Sequence, residues 1–353
     1  MKKVISVLLL ACMLLTLTAC GSQPAAPATD PTAEATEAPA AETAEAEYKL
    51  GMGVSVSLDS SDTNKAQVDA TVATVVTDSE GKIVLCRIDC AQNKMDVTGG
   101  QVDTAATYTT KRDLKYDYNM VKYSDATLEW YQQAENFEAY CVGKTADEIA
   151  GIETKVNEEG YNVAVDETLY ASCSISIEDF IGAVVKACSD EKGQTFKASG
   201  ELKLGLAAIT TADESTPATD TDPAAVKMYT DFGATVVGAD GKILAAITDS
   251  IQPVVNADKE GKIVDSTFKG TKRELGSDYG MVAYGNAIAE WDAQAQAFAN
   301  YTVGKTADEV RAIETTQNDH GYSVTADETL YASCTMQITG MMAVLALAAD
   351  YAR

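Results

Sequence analysis

The chain has 353 residues, with 53 Asp and Glu against 27 Lys and Arg and a single His, for a net charge of −26 at neutral pH. A chain this acidic is repelled by a phosphate backbone, which argues against nucleic-acid binding, and one imidazole excludes any centre built on several. Its 46% apolar content is enough for a core and excludes wholesale disorder.

The first expected element is an export leader. Lys2 and Lys3 precede an apolar run from Val4 to Leu17, too short for a permanent membrane span and followed by small residues. Leu17-Thr18-Ala19-Cys20-Gly21 resembles the bacterial lipobox. That resemblance covers the first 20 residues. It implies removal of signal peptide 1–19, lipidation of Cys20, and a mature chain held by its lipid on the extracytoplasmic side of the cell membrane. Residues 20–47 read as an acidic Ala/Pro/Thr/Glu tether. They contain Pro24, Pro27, Pro31 and Pro39 and no positive charge, so they bury too little apolar surface to offset their ordering entropy.

Beyond the tether the sequence repeats itself. Lys111-Arg112-Asp113-Leu114 recurs 161 residues on as Lys272-Arg273-Glu274-Leu275, and Glu129-Trp130 recurs as Glu290-Trp291. Gly143 through Glu148 is identical to Gly304 through Glu309, and Asp166 through Cys173 to Asp327 through Cys334. So long a register predicts two tandem copies of one domain, near 48–192 and 201–353, not a short-period solenoid.

Within each copy the elements follow one order. Ala70 to Thr77 and Lys82 to Cys90 are β-branched runs split by Asp78-Ser79-Glu80-Gly81, and the second copy has Ala239-Asp240-Gly241 in that place, which predicts hairpins. Ser124 to Tyr140 reads as a helix with Trp130, Ala134, Phe137 and Cys141 on one stripe. Thr145-Ala-Asp-Glu148 and Thr306-Ala-Asp-Glu309 are capping boxes for a second helix. Ala171 to Ile175 reads as a short strand and Ile177 to Cys188 as a closing helix. The expected class is α+β: two copies, each a mostly antiparallel sheet with hairpins packed by about three helices.

Positions that differ between copies are not required by the common fold. Cys86, Cys90, Cys141 and Cys188 become Ala246, Ser250, Thr302 and Ala349, while Cys173 and Cys334 occur in both, so the thiols read as small buried side chains. His320 replaces Glu159 and reads as a solvated loop residue. No repeated nucleophile–base pair, metal-ligand set or glycine-rich phosphate fingerprint is visible, so no catalytic or metal residue is assigned.

Three constellations remain. Lys111-Arg112 and Lys272-Arg273 suit a phosphate or carboxylate, or else form solvated edges paired with neighbouring acids. Trp130 and Trp291 suit core packing or stacking on a planar ligand. Ala171-Ser172-Cys173-Ser174 and Ala332-Ser333-Cys334-Thr335 offer hydroxyls that cap the last helix, with Ser174 or Ser176 as caps, or that meet a phosphate at its positive end.

The layout around the third constellation resembles a known family. Gly81-Lys82-Ile83 precedes Leu169-Tyr170-Ala171-Ser172-Cys173-Ser174 and the helix from Ile181 to Ala187, and Asp240-Gly241-Lys242-Ile243 precedes Leu330 to Thr335. This is similar to the bacterial exported FMN-binding domain, found in often lipid-anchored electron-transfer proteins. The family carries Ser-Gly-Ala-Thr-x-Thr, whose last hydroxyl takes FMN through a phosphoester bond. The resemblance implies Ser174 and Thr335 as attachment residues, with Ala171, Ser172, Ala332 and Ser333 as matching motif positions and FMN as cofactor. The family's Ser-Gly is Leu-Tyr in both copies here.

Two functions follow. One is a lipid-anchored flavoprotein carrying electrons to or from a membrane redox partner. The other is a non-redox surface or envelope lipoprotein binding a small ligand or cell-wall component without flavin. The export context favours the first, and Tyr170 and Tyr331 favour the second.

Overall fold

The computed structural model describes residues 45–353; the leader, Cys20 and the tether up to residue 44 lie outside the described residues. β1 (Ala46–Ser57), β2 (Lys65–Asp78) and β3 (Ile83–Asp96) form an antiparallel meander. Ala46 and Glu47, read above as the end of the tether, open β1 and pair with Ala198 and Lys197. The β2–β3 turn closes as expected: Gly81 takes φ +74°, and Asp78 accepts from the Glu80 and Lys82 amides.

Short helices α1 (Lys111–Leu114) and α2 (Met120–Tyr123) lead into α3 (Trp130–Cys141) and α4 (Ala146–Ala150). A hairpin of β4 (Thr154–Val156) and β5 (Asn162–Ala164) precedes α5 (Glu167–Ser172) and α6 (Glu178–Cys188). β6 (Gln194–Ala198) then returns to the free edge of β1, giving the sheet order β3-β2-β1-β6.

The remaining chain runs through β7 (Lys203–Thr211), β8 (Ala224–Val226), β9 (Tyr229–Val237), β10 (Ile243–Ile251), β11 (Val254–Ala257) and β12 (Ile263–Thr267). These form two three-stranded antiparallel sheets, β10-β9-β7 and β12-β11-β8. α7 (Lys272–Leu275), α8 (Met281–Gly285), α9 (Trp291–Thr302) and α10 (Ala307–Arg311) follow. The hairpin β13 (Thr315–Gln317) and β14 (Ser323–Thr325) then leads to α11 (Glu328–Tyr331) and α12 (Thr339–Asp350). The described residues are therefore mixed α+β with several antiparallel sheets.

Strand alternation sorts the side chains into separate cores. Leu50, Met52 and Val54 of β1 and Val68, Ala70 and Val72 of β2 face inward, and they share one cluster with Leu204, Leu206, Phe232 and Ala234. The opposite face of the first sheet, with Ala73, Val75, Cys86 and Ile88, is covered by Trp130, Phe137, Phe180 and Val184. Val237, Ile243 and Ala246 are covered by Trp291, Phe298, Met341 and Leu345. Burying each such aromatic contributes about 2–3 kcal/mol. The sheets also meet edge to edge, β3 beside β7 and β10 beside β6.

Local expectations fare unevenly. Both Thr/Glu capping boxes form, at Thr145/Glu148 and Thr306/Glu309. The stripe of Trp130, Ala134, Phe137 and Cys141 is buried, but its helix starts only at Trp130, where Glu129 and Gln132 close a capping box. The strand expected over Ala171–Ile175 is not formed. Asp166 accepts from the Thr168 and Leu169 amides and so caps α5, which ends at Ser172. Neither Ser174 nor Ser176 caps the closing helix; Ile177 stands at its N-cap with no side-chain cap bond.

Candidate functional site

The Lys-Arg pairs sit at the start of α1 and α7, and in each pair the two cations are used differently. Asp89 Oδ1 accepts from the Arg112 amide at 3.1 Å, and Asp249 Oδ1 from the Arg273 amide at 3.0 Å, so each helix begins on a buried carboxylate of the neighbouring strand. The arginine forks are then spent inside the fold. Arg112 donates to the Ile88 carbonyl at 2.7 and 2.9 Å and to Glu138, whose Oε1 in turn accepts from the Ile88 amide. Arg273 reaches Asp190 at 2.9 Å and the Lys192 carbonyl at 2.8 Å. Of the two alternatives for these arginines, pairing with neighbouring groups is what the geometry realises.

The lysines instead meet the tryptophans. Lys111 Nζ lies 5.2 Å from the Tyr118 ring and 5.5 Å from the Trp130 ring; Lys272 Nζ lies 5.2 Å from both Tyr279 and Trp291. Such cation–π contacts contribute about 0.5–2 kcal/mol each, more as water is excluded. Burial opposes the Lys111 charge, but Cys90, Tyr118 and Asp69 outweigh it and hold the ammonium pKa above its ordinary value. Trp130 itself is buried edge-on against Phe180 at 5.6 Å, and Trp291 is buried likewise, so both indoles are packing surfaces.

The acids around these lysines are perturbed by burial. Burial raises Asp89, opposed by Arg112, and raises Asp231, opposed by its Ser250 bond and Lys272. Burial pushes Asp249 up to about 6, against Arg273 and Thr271. Between pH ~4 and ~6 the folded chain therefore keeps a proton on Asp249 that the unfolded chain has released. Stability falls as pH rises through that window and is flat above it. Asp249→Asn is expected to remove a slope on the order of 3 kcal/mol, read as a urea midpoint that drops less between pH 4 and pH 7 than the parent's, the remainder coming from Asp89 and Asp231. Cys90, beside Lys111, is pushed up to about 11 by burial, so at neutral pH it is a thiol and not a nucleophile.

The hydroxyl motif is tied to α3 and α9 by a buried glutamine in each. Gln133 Oε1 accepts from the Ser174 amide at 2.8 Å and from its hydroxyl at 3.3 Å, while Gln133 Nε2 donates to the Leu128 carbonyl. Gln294 does the same for Thr335, at 2.9 and 3.3 Å, with the Ala289 carbonyl as its own acceptor. Ser172 and Ser333 turn back to the carbonyls of Leu169 and Leu330, and Ala171 and Ala332 are exposed. The neighbouring Tyr170 and Tyr331 project into solvent, 39% and 42% exposed.

No protein-family model, curated protein or solved structure matches this chain. The structure brings Lys111 to Trp130 and Lys272 to Trp291, and it leaves Arg112, Arg273, Ser174 and Thr335 on other partners. Among the described residues no cluster of His, Cys, Asp or Glu is arranged to hold a metal ion, and no helix is long and apolar enough to cross a membrane. Sequence reasoning missed Gln133, Gln294, Asp89 and Asp249. The signal was present, because the glutamines recur 161 residues apart and the aspartates 160 apart, upstream of a one-residue insertion.

Proposed function

We propose that this chain is an extracytoplasmic lipoprotein, lipidated at Cys20, whose folded part is a tandem duplication of an FMN-binding-like domain turned to non-redox binding of an envelope component. The observation that carries this reading is the recurrence of exposed tyrosines beside the hydroxyl motif. Tyr161 and Tyr170 in one half, and Tyr322 and Tyr331 in the other, stand in solvent on the small hairpin and the helix after it. Tyr170 and Tyr331 occupy the place where the family has its glycine. Support for duplication lies in the same cap, cation–π and glutamine contacts recurring in both halves.

Tyrosine rings offer a flat apolar face with a polar tip, which suits the C–H faces of sugar rings. A net charge of −26 disfavours an anionic polymer, so the binding partner is a neutral or cationic wall glycan. The test is intact mass and visible absorbance of the lipidated protein, with co-sedimentation on insoluble wall glycan. The expected result is a lipidated chain with no FMN mass and no chromophore. Glycan retention should fall at least tenfold (about 1.4 kcal/mol) when the four tyrosines become alanine. An added FMN mass that is lost in Ser174→Ala or Thr335→Ala would establish the electron carrier instead.

A further inference from the structure

Five of the six described cysteines lie in the first half, and two of them share one buried corner. Cys86 faces outward from β3 and Cys141 ends α3; both are buried in the same cluster. The two segments are pinned together close by. The Gly143 amide donates to the Ile83 carbonyl at 2.7 Å, and the Ile83 amide to the Lys144 carbonyl at 2.9 Å. Cys86 lies against the last turn of α3, beside Glu138, Ala139 and Val142, and the Cys141 thiol is the first cause that raises its pKa.

The other half has the same pin, Gly304 to Ile243 at 2.8 Å and Ile243 to Lys305 at 2.9 Å. There the two positions are Ala246 and Thr302, and the Thr302 hydroxyl is satisfied by the Ala299 carbonyl. The scaffold therefore packs without either sulfur. The two positions hold Cys and Cys in one half and Ala and Thr in the other: both change together.

We infer that Cys86 and Cys141 are joined by a disulfide in the exported protein. This rests on the extracytoplasmic reading, since an oxidising compartment is where such a bond persists. In forming it the two thiols lose two protons and two electrons. A disulfide of an exported dithiol oxidoreductase is reduced to two thiols, and one S–S bond forms as another breaks. Burial and the partner thiol hold Cys86 protonated in the folded state. Exchange therefore takes place before the core closes, because the thiolate is the attacking species. Cys173 and Cys188 also lie near Cys141 and are the competing partners.

The test maps thiols in two preparations of the full mature chain: one exported and lipidated in cells, the other refolded from a reducing cytosol in a glutathione redox buffer. Each is alkylated in denaturant without reductant, digested and weighed. The expected result in both is one cross-linked peptide pair holding Cys86 and Cys141, with Cys90, Cys173, Cys188 and Cys334 alkylated. Reductant should then lower the urea midpoint of the parent and leave that of Cys86→Ala/Cys141→Thr, which copies the other half, unmoved. Alkylation of all six cysteines from Cys86 to Cys334 in both preparations would overturn the inference, as would a bridge from Cys141 to Cys173 or Cys188. A bridge in the refolded chain only, with no lipid on the cellular chain, would overturn export and leave the pairing standing. A bridge in the refolded chain only, with lipid present, would overturn the claim for the exported protein.

Discussion

Gly205→Val is expected to cost about 3–5 kcal/mol, among the largest losses any single residue of this chain can produce. A Cβ at Gly205 would stand 1.7 Å from the Ala348 carbonyl oxygen of α12, and one at Gly51 would stand 2.0 Å from the Ala187 carbonyl of α6. The closing helices are thus seated with their backbones directly on bare strand, and a side chain there must lift the helix. Lifting α12 withdraws Met341, Leu345 and their neighbours from the second outer core, so the loss is cooperative. The check is urea unfolding of Gly205→Val and Gly51→Val beside Gly182→Ala. Gly182 lies in α6 with nothing within 4 Å of an added Cβ, and its alanine should stabilise by about 0.5–1 kcal/mol. If all three variants behave alike, close backbone seating is not what limits these positions.

Arg273→Met should cost a similar amount, about 3–5 kcal/mol, for an electrostatic reason. The Arg273 and Asp190 side chains are 7% and 10% exposed, and the pair joins the start of α7 to the segment between α6 and β6. Removing the guanidinium leaves the Asp190 carboxylate buried on two backbone amides, those of Met52 at 3.2 Å and Lys192 at 3.0 Å, with no counter-charge, and it orphans the Lys192 carbonyl. Adding Asp190→Asn removes the stranded charge and should recover more than half of the loss in a double-mutant cycle. The nearby Lys186–Glu274 pair connects the same two regions, but both side chains are about half exposed. Breaking it is expected to cost less than ~1 kcal/mol. Strict additivity of Arg273→Met and Asp190→Asn would show that the buried pair carries no coupling.

Local grammar was readable from the chain. Asp78 with Gly81, Thr145 with Glu148, and the Trp130–Phe137 stripe each encode their structure within a few residues, because the interactions that decide them are short-range. What escaped depends on distant chain. Nothing near Arg112 announces that its fork will cap the Ile88 carbonyl, and nothing near Arg273 points to Asp190, 83 residues away. The Ala171–Ile175 segment misled because Asp166, five residues upstream of Ala171, caps a helix that overrides a short β-prone run. The shared core of the two sheets is likewise invisible to alternation, which says that a face is buried but not against what.

The cap on Ile88 has a further consequence for self-association. β3 ends its sheet, and an edge strand with free amides and carbonyls is a template for any neighbouring chain. Here Glu138 and Arg112 occupy the main-chain groups of Ile88, Asn93 reaches across to Thr210 and Thr230, and on the opposite seam Gln194 takes the Ala246 amide at 2.6 Å. Were the chain lipid-anchored as proposed, molecules crowded side by side would meet at high local concentration. Plugged seams deny them intermolecular strand pairing, so aggregation is resisted by a handful of polar side chains and not by dilution.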